Sequence, residues 1–297
     1  MAEQTFIDPK GLARITRLEL VARQAVEGFL AGRHPSPYHG SSVEYADHRP
    51  YSMGDELRSL DWKLLAKTDK YYVKLFEDQT NLRCTLLVDC SRSMAFASDG
   101  RMTKLRYASH LAAALGYLML RQNDAVGLAM FDNRLRHYLP ARSTASHFRL
   151  MVDLLDAAQG RSESRMAPVM HELASRLKRR GLIIIVSDLL DDPAGLFDAL
   201  GHFRYRKHEI IVFHVMDPNE LTFPYERLTR FKDMEGTSMI VANPGTVRRR
   251  YMERLEAFMN TIKGGCLERD VTYELATTDT PWDKMLGAYL DRRSRLS

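Results

Sequence analysis

The chain has 297 residues, a formal net charge of +5 at pH 7 and a sequence pI near 9.0, with 45% hydrophobic and 27% charged residues. That length accommodates one large or two smaller domains, and the composition is ordinary for a soluble globular protein. The positive excess is mild for this length and spread over short clusters, Lys178-Arg179-Arg180, Arg248-Arg249-Arg250 and Arg292-Arg293-Ser294-Arg295. This argues against a nucleic-acid-binding protein, and cations at helix C-termini account for most of it.

The three cysteines, Cys84, Cys90 and Cys266, form no C-x-x-C pair and no disulfide framework, which points to a reducing compartment. The N-terminus carries no charged-then-apolar signal peptide. The apolar stretch 111–120 is too short to span a bilayer and reads as a buried helix. The expected location is the cytoplasm.

Residues 9–29 place Leu12, Ile15, Leu18, Val21, Ala22, Ala25, Val26 and Phe29 at helical spacing, predicting an amphipathic helix. Gly32 and the His34-Pro-Ser-Pro37 run stop it. Residues 38–80 are dense in polar and aromatic side chains, with a turn at Tyr51-Ser-Met-Gly-Asp55, a short helix over 57–68 and a strand over 71–77. Residues 1–80 therefore read as an N-terminal extension, and 81–297 as the main domain.

From residue 81 strands and helices alternate, the signature of a doubly wound α/β domain with a mostly parallel sheet. Strands are expected over 83–89, 125–131, 135–139, 182–186, 209–215 and 271–275. Helices are expected over 103–121, 146–158, 166–180, 247–263 and 281–291, with another opened by Pro193. Asp132-Asn133 supplies turn chemistry for a hairpin, and residues 226–242 read as a second hairpin around Glu235-Gly236. Gly181 stands where a helix C-terminal glycine would end 166–180.

The chemistry concentrates where the first strand of this domain stops. Cys84 to Val88 is an apolar run, and Asp89-Cys90-Ser91-Arg92-Ser93 follows at once. In an open parallel sheet, ligands bind outside the carboxyl ends of the strands. An acid and two hydroxyls at that edge are hard oxygen donors of the kind Mg²⁺ prefers. The strand 182–186 likewise ends in Ser187-Asp188. The plain alternative is that Asp89 and Ser91 only cap the loop that follows.

The spacing Asp89-x-Ser91-x-Ser93, with the Ala-rich helix, second strand, hairpin and later strand ending in Ser187-Asp188, resembles the von Willebrand factor A domain. In that family this motif forms the metal-ion-dependent adhesion site. The resemblance implies that Asp89, Ser91, Ser93 and Asp188 hold Mg²⁺ (or Mn²⁺ or Ca²⁺). A loop hydroxyl joins them, here Ser164 where the family carries threonine, with Ser162 as the alternative. Neutral hydroxyls leave such an ion electrophilic, with a position open for a partner's carboxylate.

Upstream, Arg49-Pro-Tyr51-Ser-Met-Gly-Asp55-Glu-Leu-Arg58-Ser-Leu-Asp61-Trp62 resembles the R-x-Y-x-x-G-D-x-x-R-x-I-D-W signature of a bacterial family of unknown function that carries this domain. Its members are commonly associated with MoxR-type AAA+ ATPases. The resemblance implies a metal-dependent protein-interaction module that adapts such an ATPase to a client, and not an enzyme. Asp55, Arg58, Asp61 and Lys63 around Trp62 read as an internal charged network or, in the other reading, a docking surface.

No phosphate-binding glycine loop, H-E-x-x-H or G-x-S-x-G elbow occurs, and His208 and His214 read as structural. A Mg²⁺-dependent phosphohydrolase using Asp89 is the enzymatic alternative, although Ser91 stands where that chemistry wants a second aspartate. A scaffold whose site has lost its metal is the other.

Overall fold

In the computed structural model the described residues are 18, 22, 48–51, 64–65, 71–74, 82–98, 100–232 and 239–296. The chain divides into two compact units, residues 33–81, and residues 1–32 together with 82–297. In the first unit, strand β1 (His48–Pro50) pairs antiparallel with β2 (Tyr72–Lys74), and Leu64 and Leu65 are helical. The signature residues Asp55, Arg58, Asp61, Trp62 and Lys63 lie outside the described residues, as does the turn after Tyr51. Of the helix expected over 9–29, Leu18 and Ala22 are described; both are helical and buried.

The second unit is built on β3 (Arg83–Asp89), α1 (Lys104–Arg121), β4 (Ala125–Phe131), β5 (Leu135–Arg142), α2 (Ala145–Asp156), α3 (Met166–Arg176) and β6 (Leu182–Ser187). It continues with α4 (Pro193–Tyr205), β7 (Glu209–Met216), the short α5 (Pro218–Thr222), β8 (Thr229–Lys232), β9 (Met239–Ala242), α6 (Pro244–Glu268), β10 (Thr272–Thr277) and α7 (Trp282–Leu296). Six strands form one sheet in the order β10-β7-β6-β3-β4-β5. All neighbours are parallel except the edge strand β5, which returns antiparallel on β4. β8 and β9 form a separate antiparallel pair whose connecting turn lies outside the described residues.

The central strands are apolar along most of their length because both of their faces are covered. Leu182 to Val186 shows the logic. Leu182, Ile184 and Val186 point to one layer with α1, α2 and α7, while Ile183 and Ile185 point to the other with α3 and α4. Leu18 and Ala22 are buried in the first layer. The period-two alternation of a strand thus splits five consecutive aliphatics between two cores.

Most expected elements lie within a few residues of their places, and the differences have local causes. Helix α3 ends at Arg176, not at residue 180, so Gly181 is not its terminal glycine. Gly181 stands instead where the chain enters β6, and a Cβ there would lie 2.3 Å from the Arg83 carbonyl oxygen. The glycine serves a close approach to β3, not a helix end. Helix α6 begins at Pro244 because the Asn243 side chain caps it by accepting from the Gly245 N–H. Helix α5 was not expected; Asp217 and Glu220 close a reciprocal capping box around it.

Candidate metal centre

In chain order the six strands of the sheet read 3-2-1-4-5-6 from β5 to β10, so the winding reverses between β3 and β6. The crevice beyond the carboxyl ends of those two strands is the topological switch point, where doubly wound sheets bind ligands. Asp89 is the last residue of β3, and Asp188 directly follows β6. Both are completely buried. The register that pairs Val88 with Val186 brings the two strand ends level.

Asp89 is held by local bonds. One carboxylate oxygen accepts from the Ser91 N–H at 2.8 Å, and the other from the Ser187 hydroxyl at 2.6 Å. The Ser187 hydroxyl also accepts from the Leu189 N–H at 2.9 Å. The Ser91 and Ser93 hydroxyls lie 3.0 Å apart, both buried. Burial first, and the neighbouring Asp188 second, push the Asp89 carboxyl up to about 7 against the pull of these donors. Leu189 has a positive φ of 56°, a conformation a non-glycine residue adopts rarely and which turns the chain sharply after Asp188.

Ser164 is buried in the loop before α3. That loop is stitched to the end of β3. The Arg92 N–H donates to the Ser162 carbonyl at 2.8 Å, and the Arg161 N–H to the Cys90 carbonyl at 3.4 Å. Gly160 permits the approach, because a Cβ there would lie 2.8 Å from the Ser91 carbonyl oxygen. The Ser162 hydroxyl accepts from Arg136 at 3.0 Å. Bonds thus join Asp89, Ser91 and Ser93 directly. Asp188 is joined to Asp89 through the field between them, and Ser164 through its loop.

One group at this site was not expected. Lys104, the first residue of α1, is completely buried, and its ammonium donates to Asp188 Oδ2 at 2.9 Å and to Glu220 Oε1 at 2.7 Å. Burial works against its charge, but Asp188 and Glu220 outweigh it and hold its pKa above the usual lysine value. A cation in the first turn of a helix opposes the helix dipole. That anomaly, directly after the capping Thr103, was the available sequence signal. Glu220 in turn accepts from the Asp217 N–H, and Asp217 accepts from the Ser98 N–H, the Ser98 hydroxyl and the Thr278 hydroxyl. These donors outweigh burial and lower the Asp217 pKa.

His214 is buried on β7 opposite Ser187, with Nδ1 2.8 Å from the Tyr273 hydroxyl; burial lowers its pKa to about 4, so it is a neutral core group. Among the described residues, no group of three or more His, Cys, Asp or Glu side chains is gathered to hold a metal ion. The candidate set is of another kind, carboxylates mixed with hydroxyls. Its chemistry fits a hard divalent cation: all donors are oxygens, and a carboxyl pushed toward protonation by burial and a neighbouring acid is relieved by a cation. If present, the metal would be held by Asp89, Ser91, Ser93, Ser164 and Asp188.

The sheet order and the hydroxyl-rich edge define a doubly wound α/β domain whose polar groups gather at the switch point. Residues 47–259 match the family described as protein of unknown function DUF58, and the chain belongs to that family. An uncharacterised protein of Mycobacterium tuberculosis strain H37Rv is 28% identical over 220 residues, 73% of this chain and 68% of its own length. The Bacillus subtilis protein YeaD is 24% identical over 177 residues, 59% of this chain and 42% of its own. Among solved structures, BatB from Bacteroides thetaiotaomicron is similar at a TM-score of 0.46 and 16% identity, covering 72% of this chain and 99% of that one. The SpRpn10 VWA domain has a TM-score of 0.41 and 10% identity, covering 70% and 94%. Among the described residues no helix is long and apolar enough to cross a membrane.

Proposed function

We propose that this chain is a metal-dependent protein-interaction module that works by binding and not by turnover. Mg²⁺ (or Mn²⁺ or Ca²⁺) would sit on Asp89, Ser91, Ser93, Ser164 and Asp188 and offer an open position to an acidic side chain of a partner. The observation that carries the reading is the placement of Asp89 and Asp188, both buried, on the two strands that flank the switch point. The resemblance to proteins associated with MoxR-type AAA+ ATPases makes such an ATPase the proposed partner, with this chain adapting it to a client protein in the cytoplasm.

Calorimetric titration of the chelator-stripped chain with Mg²⁺ and Mn²⁺ tests the proposal. A one-site isotherm that disappears in Asp89→Ala and in Ser91→Ala is expected. A folded native chain that takes up neither ion, alone or mixed with the ATPase, refutes it. Metal-dependent hydrolysis of a phosphate ester would instead support the phosphohydrolase.

Lys104 favours a second reading. A buried ammonium already 2.9 Å from Asp188 supplies part of the positive charge that a metal would bring. In that reading the site is a scaffold that holds its loops in shape without an ion, and partner binding is insensitive to chelator.

A further inference from the structure

The opposite end of the sheet carries a feature that neither the metal centre nor the family resemblance uses. A cavity of about 370 Å³ opens at the amino end of β3 and β6. Arg83, Arg176, Lys178, Arg179 and His208 line it together with Tyr138, and among the described residues no acid lines it.

Its shape follows from three local causes. Helix α3 stops at Arg176, so residues 177–181 cross the strand ends as an irregular segment. Gly181 lets that segment lie directly against the Arg83 carbonyl. On the other side the β4–β5 pairing shifts register between Val126 and Leu128, and Gly127 admits the backbone of Leu139 and Ala141.

The helix C-terminus by itself explains cations at 176–180, since they complement the dipole. It does not explain Arg83, which comes from a different strand, or His208. Arg176 is ion-paired with Glu172 and lies over the Tyr138 ring. Arg83, Lys178 and Arg179 are exposed and make no ion pair among the described residues. His208 is 2% exposed. The backbone of Gly181 and Leu177 lies near enough to favour its charged form, yet among the described residues neither ring nitrogen reaches hydrogen-bonding geometry with a partner. Burial prevails and lowers its pKa, so the ring is neutral and has one N–H to give.

We propose that this cavity is a binding site for the phosphate of a small phosphorylated molecule, held by Arg83, Lys178 and Arg179 with His208 donating from the floor. Guanidinium groups match phosphate oxygens in pairs, and lysine adds a point charge. The volume falls within the range of small-molecule sites and suits a ligand of mononucleotide size. The site lies at the far end of the strands from Asp89 and is independent of the metal proposal.

The test is calorimetric titration of the full chain at low ionic strength with inorganic phosphate, AMP and ADP, and with adenosine as the uncharged control. The expected result is saturable one-site binding of at least one phosphate probe and none of adenosine. The double variant Arg83→Ala/Arg179→Ala, altered at exposed positions and checked by thermal melting, should weaken it about tenfold or more, as loss of charged hydrogen bonds does. Asp89→Ala should leave it unchanged. No saturable binding of any phosphate probe, adenosine binding equal to AMP, or full affinity in the double variant overturns the proposal. Capture of single-stranded RNA through the same arginines without binding of the small probes also overturns it, and assigns a macromolecular partner.

Discussion

Replacing Lys104 with methionine keeps the apolar stem and removes the charge, so it isolates what the ammonium does. Its contacts to Asp188 and Glu220 are 2.9 and 2.7 Å, and both the lysine and Asp188 side chains are fully shielded from water. At an effective dielectric of about 20 each contact is worth roughly 6 kcal/mol before desolvation. Desolvation of the buried charges offsets much of this, and the lasting effect of deletion is an unpaired carboxylate in the interior, at a cost of about 3–5 kcal/mol. For a domain of this size that is a fall in Tm of roughly 10 °C.

The assay is urea unfolding in chelator of the native chain, Lys104→Met, Asp188→Asn and the double variant. The double variant should be more stable than Lys104→Met, because neutralising Asp188 removes the orphaned charge. A Lys104→Met chain within about 0.5 kcal/mol of native would refute the buried ion pair.

Asp89 carries a carboxyl raised from an ordinary 3.8 to about 7, so its ionisation opposes folding. Its contribution is fully present below about pH 4 and is lost as pH rises through about 7, with a total on the order of a few kcal/mol. Unfolding in chelator across pH 5 to 8 should therefore show a smaller loss of stability in Asp89→Asn than in the native chain; equal slopes would contradict the assignment. Ser187→Ala removes the hydroxyl that donates to Asp89 and accepts from Leu189, and should cost about 1–3 kcal/mol in urea unfolding. Gly181→Ala forces a Cβ to 2.3 Å from the Arg83 carbonyl and should destabilise by about 1–3 kcal/mol. Gly264→Ala, in α6 with nothing within 4 Å, should stabilise by about 0.5–1 kcal/mol, so the pair separates a steric role from a helix-propensity effect.

The central strands were legible because apolar runs bounded by Asp89 and Asp188 leave few ways to be buried except as a two-sided parallel sheet. The carboxylates and hydroxyls of the candidate site were legible for the same reason: polar residues directly after a buried strand must lie at its edge. Lys104 was not, because its one signal, a cation in the first turn of a helix, does not say where the side chain points, and its two acidic partners, Asp188 and Glu220, lie 84 and 116 residues away. Helix α3 was read too long because Leu177 to Arg180 continue a helix-favouring composition, while Gly181 answers to Arg83, a contact far away in sequence. Arg136, which donates to the Ser162 hydroxyl from β5, was likewise not legible, because it is 26 residues away.

The charges around the switch point bear on both readings of the site. Asp89, Asp188 and Glu220 are three acids, and among the described residues Lys104 is the one base in direct contact with two of them. With all four ionised the cluster carries two negative charges in surroundings from which water is excluded, which is the deficit a divalent cation fills. Without an ion the cluster has a cheaper route, protonation of Asp89, and the upward push on that carboxyl is the same deficit expressed as a pKa. Metal uptake should therefore release a proton from Asp89 near neutral pH and grow stronger as pH rises from 5 to 8. Lys104→Met deepens the deficit, so Mg²⁺ should stabilise that variant more than the native chain. A lysine that has taken over the metal's role predicts the same ordering in chelator, native chain stable and variant unstable, but neither responsive to Mg²⁺. The two readings thus part on a single comparison, the Mg²⁺-induced rise in Tm of the variant against that of the native chain.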